Sequence, residues 1–278
     1  TLSSSSAASD VYKRQIYKSY NFTHAITRKP SQSAIYGLAS QNRGIPDISL
    51  MERHHKKYVR ALKKAGAHVI ELEALELFPD SLFVEDTALC LPEGAIVMRP
   101  GALSRSKEVD FIRSHLEKLY KEVHCITGPG TIEAGDILTT EKEILVGRSC
   151  RTTAKGISEF SHLVARWGYK VTEVITPADI LHFKTDCSLL DHNTVLSTDR
   201  LASTGCFKKY SVILTCVGEE EAANTVRFND WIIMPDGFPN TAERLIENGF
   251  KVLRVGNTEC AKIDGGMSCL SLRFTPTD

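Results

Sequence analysis

The chain has 278 residues with 34 basic and 34 acidic side chains, so its formal net charge is zero; 42% of its residues are hydrophobic and 24% are charged. This balance is typical of a globular protein, and it gives no sign of a nucleic-acid surface. No apolar stretch approaches the roughly 20 residues of a membrane helix, so no membrane segment is expected. The eight cysteines include no CxxC pair, which disfavours structural zinc and fits a reducing, cytoplasmic compartment.

The first segment differs in character from the rest. Residues 1–15 read TLSSSSAASDVYKRQ, with no initiating Met, low complexity and no apolar stretch like that of a signal peptide. We therefore expect a non-native or disordered tail over residues 1–15. No Pro/Ser/Gly-rich linker interrupts residues 16–278, which predicts a single domain there.

One pattern recurs along the remainder of the chain. The segments KKAGAHVIEL, ARWGYKVTEV and IENGFKVLRV each end a predicted helix at a glycine and enter a strand three residues later. A glycine at a helix C-terminus adopts the left-handed conformation that ends the helix. KLYKEVHCI is a fourth copy without the glycine, and the spacing predicts a fifth near residue 210, where KKYSVILTC fits. Five such units predict a closed ring of repeats.

Predicted hairpins between the copies bear on the architecture. EAGDILTTEKEILVG has a turn at Glu141-Lys142, and DCSLLDHNTVLST has one around Asp191 to Asn193. A doubly wound sheet is the competing α/β architecture, but it provides no reason for a hairpin inside every unit. The hairpins therefore favour the ring.

A pair of acids lies inside an apolar run. Glu85 and Asp86 are part of DSLFVEDTALCL, which reads as a strand with both faces partly buried. Such acids either line a solvated edge or meet a cation, because an unpaired buried carboxylate is costly. Arg99 and Arg151 each follow a short apolar strand, and arginine binds carboxylates in a two-pronged way. Two acids with two arginines suggest a site for a zwitterion.

Three further residues could carry chemistry, although each has an ordinary explanation. His182 begins a predicted strand, Glu133 precedes a glycine in GTIEAGD, and Cys269 follows a Gly-Gly pair in KIDGGMSC, where the thiol could be exposed. Such residues often serve only turns or cores. His54 and His55 are neighbours in a predicted helix, so they point about 100° apart and cannot share a metal. No nucleotide fingerprint occurs, and neither a metal nor a cofactor is expected.

Taken together, several stretches resemble the dimethylarginine dimethylaminohydrolases, a family of the guanidine-modifying (arginine deiminase-like, or pentein) superfamily. They appear in the family's order over residues 22–272: THAITRKP, ERHHKKYVRAL, PDSLFVEDTA, MRPGALSRSKEVD, TIEAGDIL, VGRSCRTTAKG, LHFKTDCS and KIDGGMSC. The resemblance implies a five-bladed α/β propeller of ββαβ units with pseudo-fivefold symmetry. This agrees with the repeat count.

The resemblance also assigns roles. It implies that Cys269 is the nucleophile, that His182 is the general acid and base, and that Glu133 orients the imidazole. The substrate-binding positions it implies comprise the guanidinium-binding acids Glu85 and Asp86, the further pocket residues Asp80, Phe83 and Asp264, the α-carboxylate clamps Arg99 and Arg151, and the backbone carbonyls of Leu38 and Ile263 for the α-amino group.

The implied reaction is hydrolysis of the guanidinium C–N bond of asymmetric dimethylarginine or monomethylarginine. The products would be citrulline and dimethylamine or methylamine, formed through a Cys thiouronium intermediate. The resemblance further implies a place in arginine metabolism and nitric oxide regulation, a small-molecule substrate as the partner, and a monomer or homodimer. GGMSC departs from the two larger apolar residues expected before the nucleophile, which affects the predicted edge of the pocket.

Other functions fit the same residues. Arginine or agmatine deiminases use the same nucleophile and carboxylates, although agmatine has no carboxylate for Arg99 and Arg151 to bind. An amidinotransferase would need an acceptor amine. A non-catalytic amino-acid binder would need neither Cys269 nor His182.

Overall fold

Five small sheets surround a common axis. The computed structural model describes residues 18–276, in which 15 strands form five three-stranded sheets. In every sheet the middle strand pairs antiparallel with an inner strand and parallel with an outer one. The ring of five repeats predicted from the sequence and the five-bladed α/β propeller implied by the resemblance are both confirmed. The prediction for residues 1–15 lies outside the described residues.

The first sheet joins the two ends of the described chain, because its inner strand is β15 while its other strands are β1 and β2. This pairing closes the ring. The strands are β1 His24–Arg28, β2 His68–Leu72, β3 Ala88–Leu91, β4 Gly94–Val97, β5 Val123–Cys125, β6 Ile137–Thr139, β7 Ile144–Arg148, β8 Val171–Ile175, β9 Cys187–Leu189, β10 Thr194–Ser197, β11 Ser211–Leu214, β12 Val226–Phe228, β13 Trp231–Pro235, β14 Lys251–Val255 and β15 Leu272–Phe274.

A helix connects the middle strand to the outer strand of each sheet, because two parallel strands need a crossover connection. These helices are α1 Ile48–Lys64, α2 Val109–Leu116, α3 Ala154–Ala165, α4 Asp199–Ala202 and α5 Pro239–Glu247, and a short α6 Thr258–Ala261 follows the last outer strand. The fifth repeat expected near residue 210 is confirmed as β11. Its helix, α4, has four residues and is therefore too short to show an amphipathic stripe.

The predicted helix ends are also confirmed. Gly66, Gly168 and Gly249 have φ angles of +99°, +76° and +85°, the left-handed conformation that ends a helix. The predicted hairpins are present as β6–β7 and β9–β10. Within α3, Ile157 and Phe160 are buried against the neighbouring sheets, as their spacing predicts.

Five short 3-10 turns, here called the axial turns, position the residues of interest. They are Val84–Thr87, Ala134–Asp136, Phe183–Thr185, Glu220–Ala223 and Ser268–Leu270, and each lies shortly before or directly before the inner strand of its sheet. Neighbouring axial turns contact each other around the axis. The ring closes where the backbone N–H of Ser268 donates to Asn224 Oδ1 at 2.8 Å.

The axial turns correct two predictions of local structure. Glu85 and Asp86 were predicted to lie in a strand, but they belong to a turn, and β3 begins at Ala88. His182 is the residue before a turn and not the start of a strand. The apolar flanks suggested strands because they are buried, but the local backbone bond from Phe83 N–H to the Asp80 carbonyl, 3.0 Å, bends the chain instead.

No helix within residues 18–276 combines the length and apolar character needed to span a membrane.

Candidate active site

A small pocket lies at the ring of axial turns. Eleven residues line it: Leu38, Asp80, Phe83, Asp86, Arg105, Arg151, Leu181, His182, Ile263, Asp264 and Cys269. Nine of them were predicted from the sequence, and the two that were not are Arg105 and Leu181. Three axial turns and the loops beside them thus bring together residues that are far apart in the chain.

His182 and Glu133 form a buried pair. The imidazole Nε2–H donates to Glu133 Oε2 at 2.6 Å, and Glu133 is fully buried directly behind the pocket. Burial opposes the charge on both groups. Nevertheless the carboxylates of Asp86, Glu133 and Asp136 raise the pKa of His182 to about 10, and the bond to His182 lowers the pKa of Glu133 to about 2. At neutral pH the pair is therefore an imidazolium and a carboxylate.

The second oxygen of Glu133 fixes the loop beside it. Oε1 accepts hydrogen bonds from the backbone N–H groups of Gly101 at 2.8 Å and Ala102 at 3.4 Å, and Arg151 Nη1 lies 3.6 Å away. Both carboxylate oxygens thus have partners, so the orientation of the imidazole is fixed from behind. This arrangement suits His182 to donate a proton into the pocket and to take one back.

Asp86 has one oxygen available to a ligand. Its Oδ2 accepts a hydrogen bond from Arg105 Nη1 at 2.5 Å. Its Oδ1 is buried, has no hydrogen-bond partner among residues 18–276, and lies 3.9 Å from His182 Nε2. A buried carboxylate oxygen normally has a partner, so an unpaired one at a pocket indicates where a ligand's N–H group can bind.

Arg105 is the functional residue that sequence reasoning missed. Arg105 is 4% exposed, and its guanidinium donates to both carboxylate oxygens of Glu108, at 2.8 and 2.9 Å, as well as to Asp86. It also donates to the Phe83 carbonyl at 2.9 Å, which secures the turn that carries Asp86. The spacing of Arg105 and Glu108 in SRSKE was a signal, since residues three apart meet on one face of a helical turn.

Cys269 lies in the last axial turn and is 8% exposed, so the expectation of an exposed thiol needs correction. Burial raises its pKa to about 12, and the Asp86 and Glu85 carboxylates add to the effect. The thiol is therefore neutral in the free protein. A cation bound beside Asp86 would offset the negative charge that now disfavours the thiolate.

The loop over the pocket is held by two carboxylates. Asp80 Oδ1 accepts a hydrogen bond from the backbone N–H of Leu38 at 2.9 Å, and Asp264 Oδ1 accepts one from Ser40 Oγ at 3.0 Å. Ile263 and Phe83 complete this side of the pocket. The predicted pocket residues on this side are thus brought together, with Asp80 and Asp264 fixing the loop that carries Leu38.

Glu85 is not brought to the pocket, contrary to its predicted role in binding the guanidinium. Its carboxylate faces the other side of the turn, where Lys184 Nζ lies 2.6 Å away, Arg273 pairs with it and Ser268 Oγ donates to it at 2.6 Å. Burial opposes its ionisation, but Lys184 and Arg273 hold the pKa of Glu85 below its usual value. With two cations already bound, Glu85 holds the turn that carries the neighbouring Cys269.

Arg99 is the third predicted residue that does not line the pocket, after Glu133, which lies behind it, and Glu85. It is exposed, and its guanidinium donates to the Thr127 carbonyl at 3.3 Å. Its backbone forms a bridge with Ile132, which fixes the direction of the chain at the end of β4. Of the two predicted carboxylate clamps, only Arg151 lines the pocket.

Asp86, Glu133 and His182 offer ligand atoms that lie within 4.8 Å of one another, close enough in principle to hold a metal ion. The guanidinium groups of Arg105 and Arg151 already approach the two carboxylates, at 2.5 and 3.6 Å. A metal ion at this place would meet two fixed positive charges as well as the imidazolium. The donor set is therefore better suited to hydrogen bonding than to metal binding.

Comparisons with known proteins agree with this geometry. The family model described as Arginine deiminase matches residues 76–232. The N(G),N(G)-dimethylarginine dimethylaminohydrolase of Pseudomonas aeruginosa is 38% identical over 254 residues, covering 91% of this chain and all of the relative. The enzyme of the same name from Streptomyces coelicolor is 31% identical, covering 90% of this chain and 96% of the relative.

Solved structures extend the comparison. A serine variant of the Pseudomonas aeruginosa enzyme in complex with citrulline superimposes with a TM-score of 0.89 at 37% identity, covering 92% of this chain and all of that one. An adduct of dimethylarginine dimethylaminohydrolase with S-methyl-L-thiocitrulline also gives 0.89, at 37% identity and with 91% and 100% coverage. The N-terminal domain of the cyanobacterial arginine dihydrolase ArgZ shares the fold, with a TM-score of 0.82 at 21% identity. By its fold, its pocket and these relatives, the chain belongs to the dimethylarginine dimethylaminohydrolase family of the pentein superfamily.

Proposed function

We propose that the protein hydrolyses N-omega-methylated arginines, asymmetric dimethylarginine and monomethylarginine, to citrulline and dimethylamine or methylamine. One observation carries this proposal: Cys269, His182 and the unpaired oxygen of Asp86 meet at one pocket, with Glu133 bonded behind the imidazole. The named activity of the relatives from Pseudomonas aeruginosa and Streptomyces coelicolor supports it.

Substrate binding rests on charge and hydrogen-bonding geometry. A guanidinium is flat and positively charged, and its N–H groups suit the free Oδ1 of Asp86. Arg151 lines the same pocket and is the candidate partner for the substrate's α-carboxylate. Leu38 and Ile263 also line the pocket, and their backbone carbonyls are the candidate acceptors for the substrate's α-amino group. A substrate held at both ends would present its guanidinium carbon to Cys269.

The first half of the reaction forms a covalent intermediate. The bound cation lowers the pKa of the Cys269 thiol, which releases its proton to the solvent as the substrate binds, and the thiolate Sγ attacks the guanidinium carbon. The C–N bond to the methylated nitrogen then breaks. The amine leaves with a proton donated by the imidazolium of His182, whose raised pKa keeps it protonated at neutral pH. A thiouronium on Cys269 and a neutral His182 remain.

The second half restores the enzyme. Neutral His182 takes a proton from a water molecule, and the resulting hydroxide adds to the thiouronium carbon. Collapse of the adduct breaks the C–S bond, and the proton of the added hydroxyl group passes to the departing sulfur. Citrulline then leaves and Cys269 regains its thiol. Glu133 keeps the imidazole in one orientation through both halves and stabilises its charged form, as the acid of a catalytic triad does.

A substrate panel tests the proposal. Purified protein is incubated with asymmetric dimethylarginine, monomethylarginine, arginine and agmatine, and citrulline or carbamoylputrescine is quantified. We expect turnover of the two methylated arginines, and its loss in Cys269→Ser but not in the matched control Cys150→Ser, which changes an exposed cysteine outside the pocket. Preference for arginine or agmatine would instead identify a deiminase, and full activity of Cys269→Ser would end the nucleophile assignment.

Finer assignments belong to the same proposal. We infer a cytoplasmic location, supported by eight cysteines that are all free thiols, as a reducing compartment allows. A role in nitric oxide regulation would follow from removal of methylated arginines, and a monomer or homodimer remains the prediction for assembly. Fractionation of the native cells and sedimentation of the purified protein test location and assembly.

A further inference from the structure

A second cavity, which is partly open to solvent, lies on the opposite side of the axial turns from the pocket. This axial cavity has a volume of about 100 Å³, and residues from all five inner strands line it. The axial turns separate the two spaces, because they give Glu85, Lys184 and Ser268 to the cavity and Asp86, His182 and Cys269 to the pocket. The proposed reaction uses no part of the cavity.

The charges around the axial cavity do not balance. Lys184, Arg227 and Arg273 line it together with a single acid, Glu85, which leaves a formal excess of two positive charges. Arg273 is largely satisfied by Glu85 and by the Ser268 and Ser271 carbonyls. Uncompensated charge inside a protein is costly, so an excess of this size favours a negative ligand.

The ammonium group of Lys184 has hydrogen-bond donors that are not used. Lys184 is 8% exposed, and among residues 18–276 its ammonium is paired only with Glu85, at 2.6 Å. An ammonium carries three N–H donors, so two remain beyond that bond. Lys184 lies in the axial turn Phe183–Thr185, two residues after His182, and lines the axial cavity.

Arg227, on the inner strand β12, supplies the second cation. Its guanidinium lies over the rings of Tyr20 and Phe250, at 5.5 and 5.4 Å, and its Nη1 is a buried nitrogen with no hydrogen-bond partner among the described residues. The two acids whose charge acts on it, Asp230 and Asp191, do not line the cavity. The residue that contributes this unpaired donor thus borders the same space as Lys184.

Two hydroxyl groups complete the polar surroundings. Ser19 Oγ and Thr139 Oγ1 belong to residues that line the cavity, and both are buried without a hydrogen-bond partner within residues 18–276. Unpaired buried polar groups call for polar contents. Water would satisfy hydroxyl groups, but it would leave the positive excess uncompensated.

We propose that the axial cavity is a binding site for a small monovalent anion such as a halide, held between Lys184 and Arg227. The volume suits such an ion with one or two water molecules. Binding would offset part of the positive excess and stabilise the fold from inside the ring. The site is independent of the proposed hydrolysis, because none of its residues lines the catalytic pocket.

Bromide is the probe, since it can be located by anomalous scattering. Crystals of the whole protein are soaked in sodium bromide, and data are collected at the bromine edge. We expect an anomalous peak in the axial cavity within hydrogen-bond distance of Lys184 Nζ. Density that contains ordered water and no anomalous peak would overturn the proposal, and this readout needs no variant.

Thermal unfolding provides the second measurement, with bromide exchanged for gluconate at constant ionic strength. Saturating bromide should raise the Tm of the wild type by about 2–4 °C. Arg227→Gln should lose this rise while keeping its turnover. The matched control Arg254→Gln, which changes an exposed residue of the outer strand β14, should keep both the rise and the turnover. An equal rise in Arg227→Gln would refute the assignment of Arg227.

Discussion

Two adjacent acids, Glu85 and Asp86, should respond in opposite ways when each is made neutral. Glu85→Gln removes the only acid within residues 18–276 that forms an ion pair with Lys184 and Arg273, and all three side chains are largely buried. Breaking such a pair from one side typically costs about 3–5 kcal/mol of unfolding free energy. For a domain of this size, that corresponds to a fall in Tm of roughly 6–20 °C. Binding in the pocket should change little, because Glu85 does not line it.

Asp86→Asn should show the reverse. Arg105 keeps both bonds to Glu108 in this variant, so the loss of stability is smaller than in Glu85→Gln. The unpaired oxygen of this pocket residue loses its negative charge, however. Hydrogen bonds to charged groups contribute about 1.5–3 kcal/mol, so binding of a guanidinium should weaken by roughly 10- to 100-fold.

The assay separates binding from turnover by working in a Cys269→Ser background. Affinity for asymmetric dimethylarginine is measured by calorimetry, and stability by urea unfolding monitored by circular dichroism. We expect Glu85→Gln to bind within about twofold of its parent and to unfold at lower urea. If Glu85→Gln kept its unfolding midpoint but lost affinity as much as Asp86→Asn, the division of labour between these two acids would be wrong.

Three further predictions concern the buried charges. Arg105→Gln leaves Asp86 and Glu108 without their counterion and should cost about 3–5 kcal/mol of unfolding free energy, part of which the added change Glu108→Gln should recover in urea titrations. The pKa of His182 is raised from 6.5 to about 10, so its stabilising contribution is complete below pH 6.5 and is lost as pH rises towards 10. His182→Gln should lack that part of the alkaline decline in the urea midpoint, and an unchanged decline would contradict the assignment. The Cys269 thiol, with a pKa of about 12, should react with iodoacetamide at pH 8 more slowly than the exposed Cys150, as peptide mass mapping would measure, and equal rates would refute the neutral thiol.

The architecture could be predicted because short local sequence patterns mark its repeating units. Gly66, Gly168 and Gly249 end helices at matching places, and a helix end followed by a strand needs no information from distant parts of the chain. A helix of a single turn leaves a weaker sequence pattern and is harder to predict. The fourth helix, Asp199–Ala202, has one turn and no stripe, so only the spacing of the other repeats indicated where its strand lies.

The site was harder to predict where side-chain direction decided the outcome. Glu85 and Asp86 were both assigned to the guanidinium, but a 3-10 turn rotates about 120° per residue, so neighbours in it face different sides. Arg99 and Arg151 both follow strands, yet only Arg151 lines the pocket. Arg105 was missed because its partner Asp86 is 19 residues away, and no local pattern reveals such a pairing.

The axial turns contribute side chains both to the axial cavity and to the pocket. In three short segments, one residue lines the axial cavity while a close neighbour lines the pocket. These pairs are Glu85 and Asp86, Lys184 and His182, and Ser268 and Cys269. A single-residue insertion or deletion in such a segment would turn a charged side chain from the axial cavity into the pocket. It would also turn a reactive side chain from the pocket into the axial cavity. Substitutions at these positions can therefore alter affinity or stability one at a time, whereas a change in segment length would disable both together.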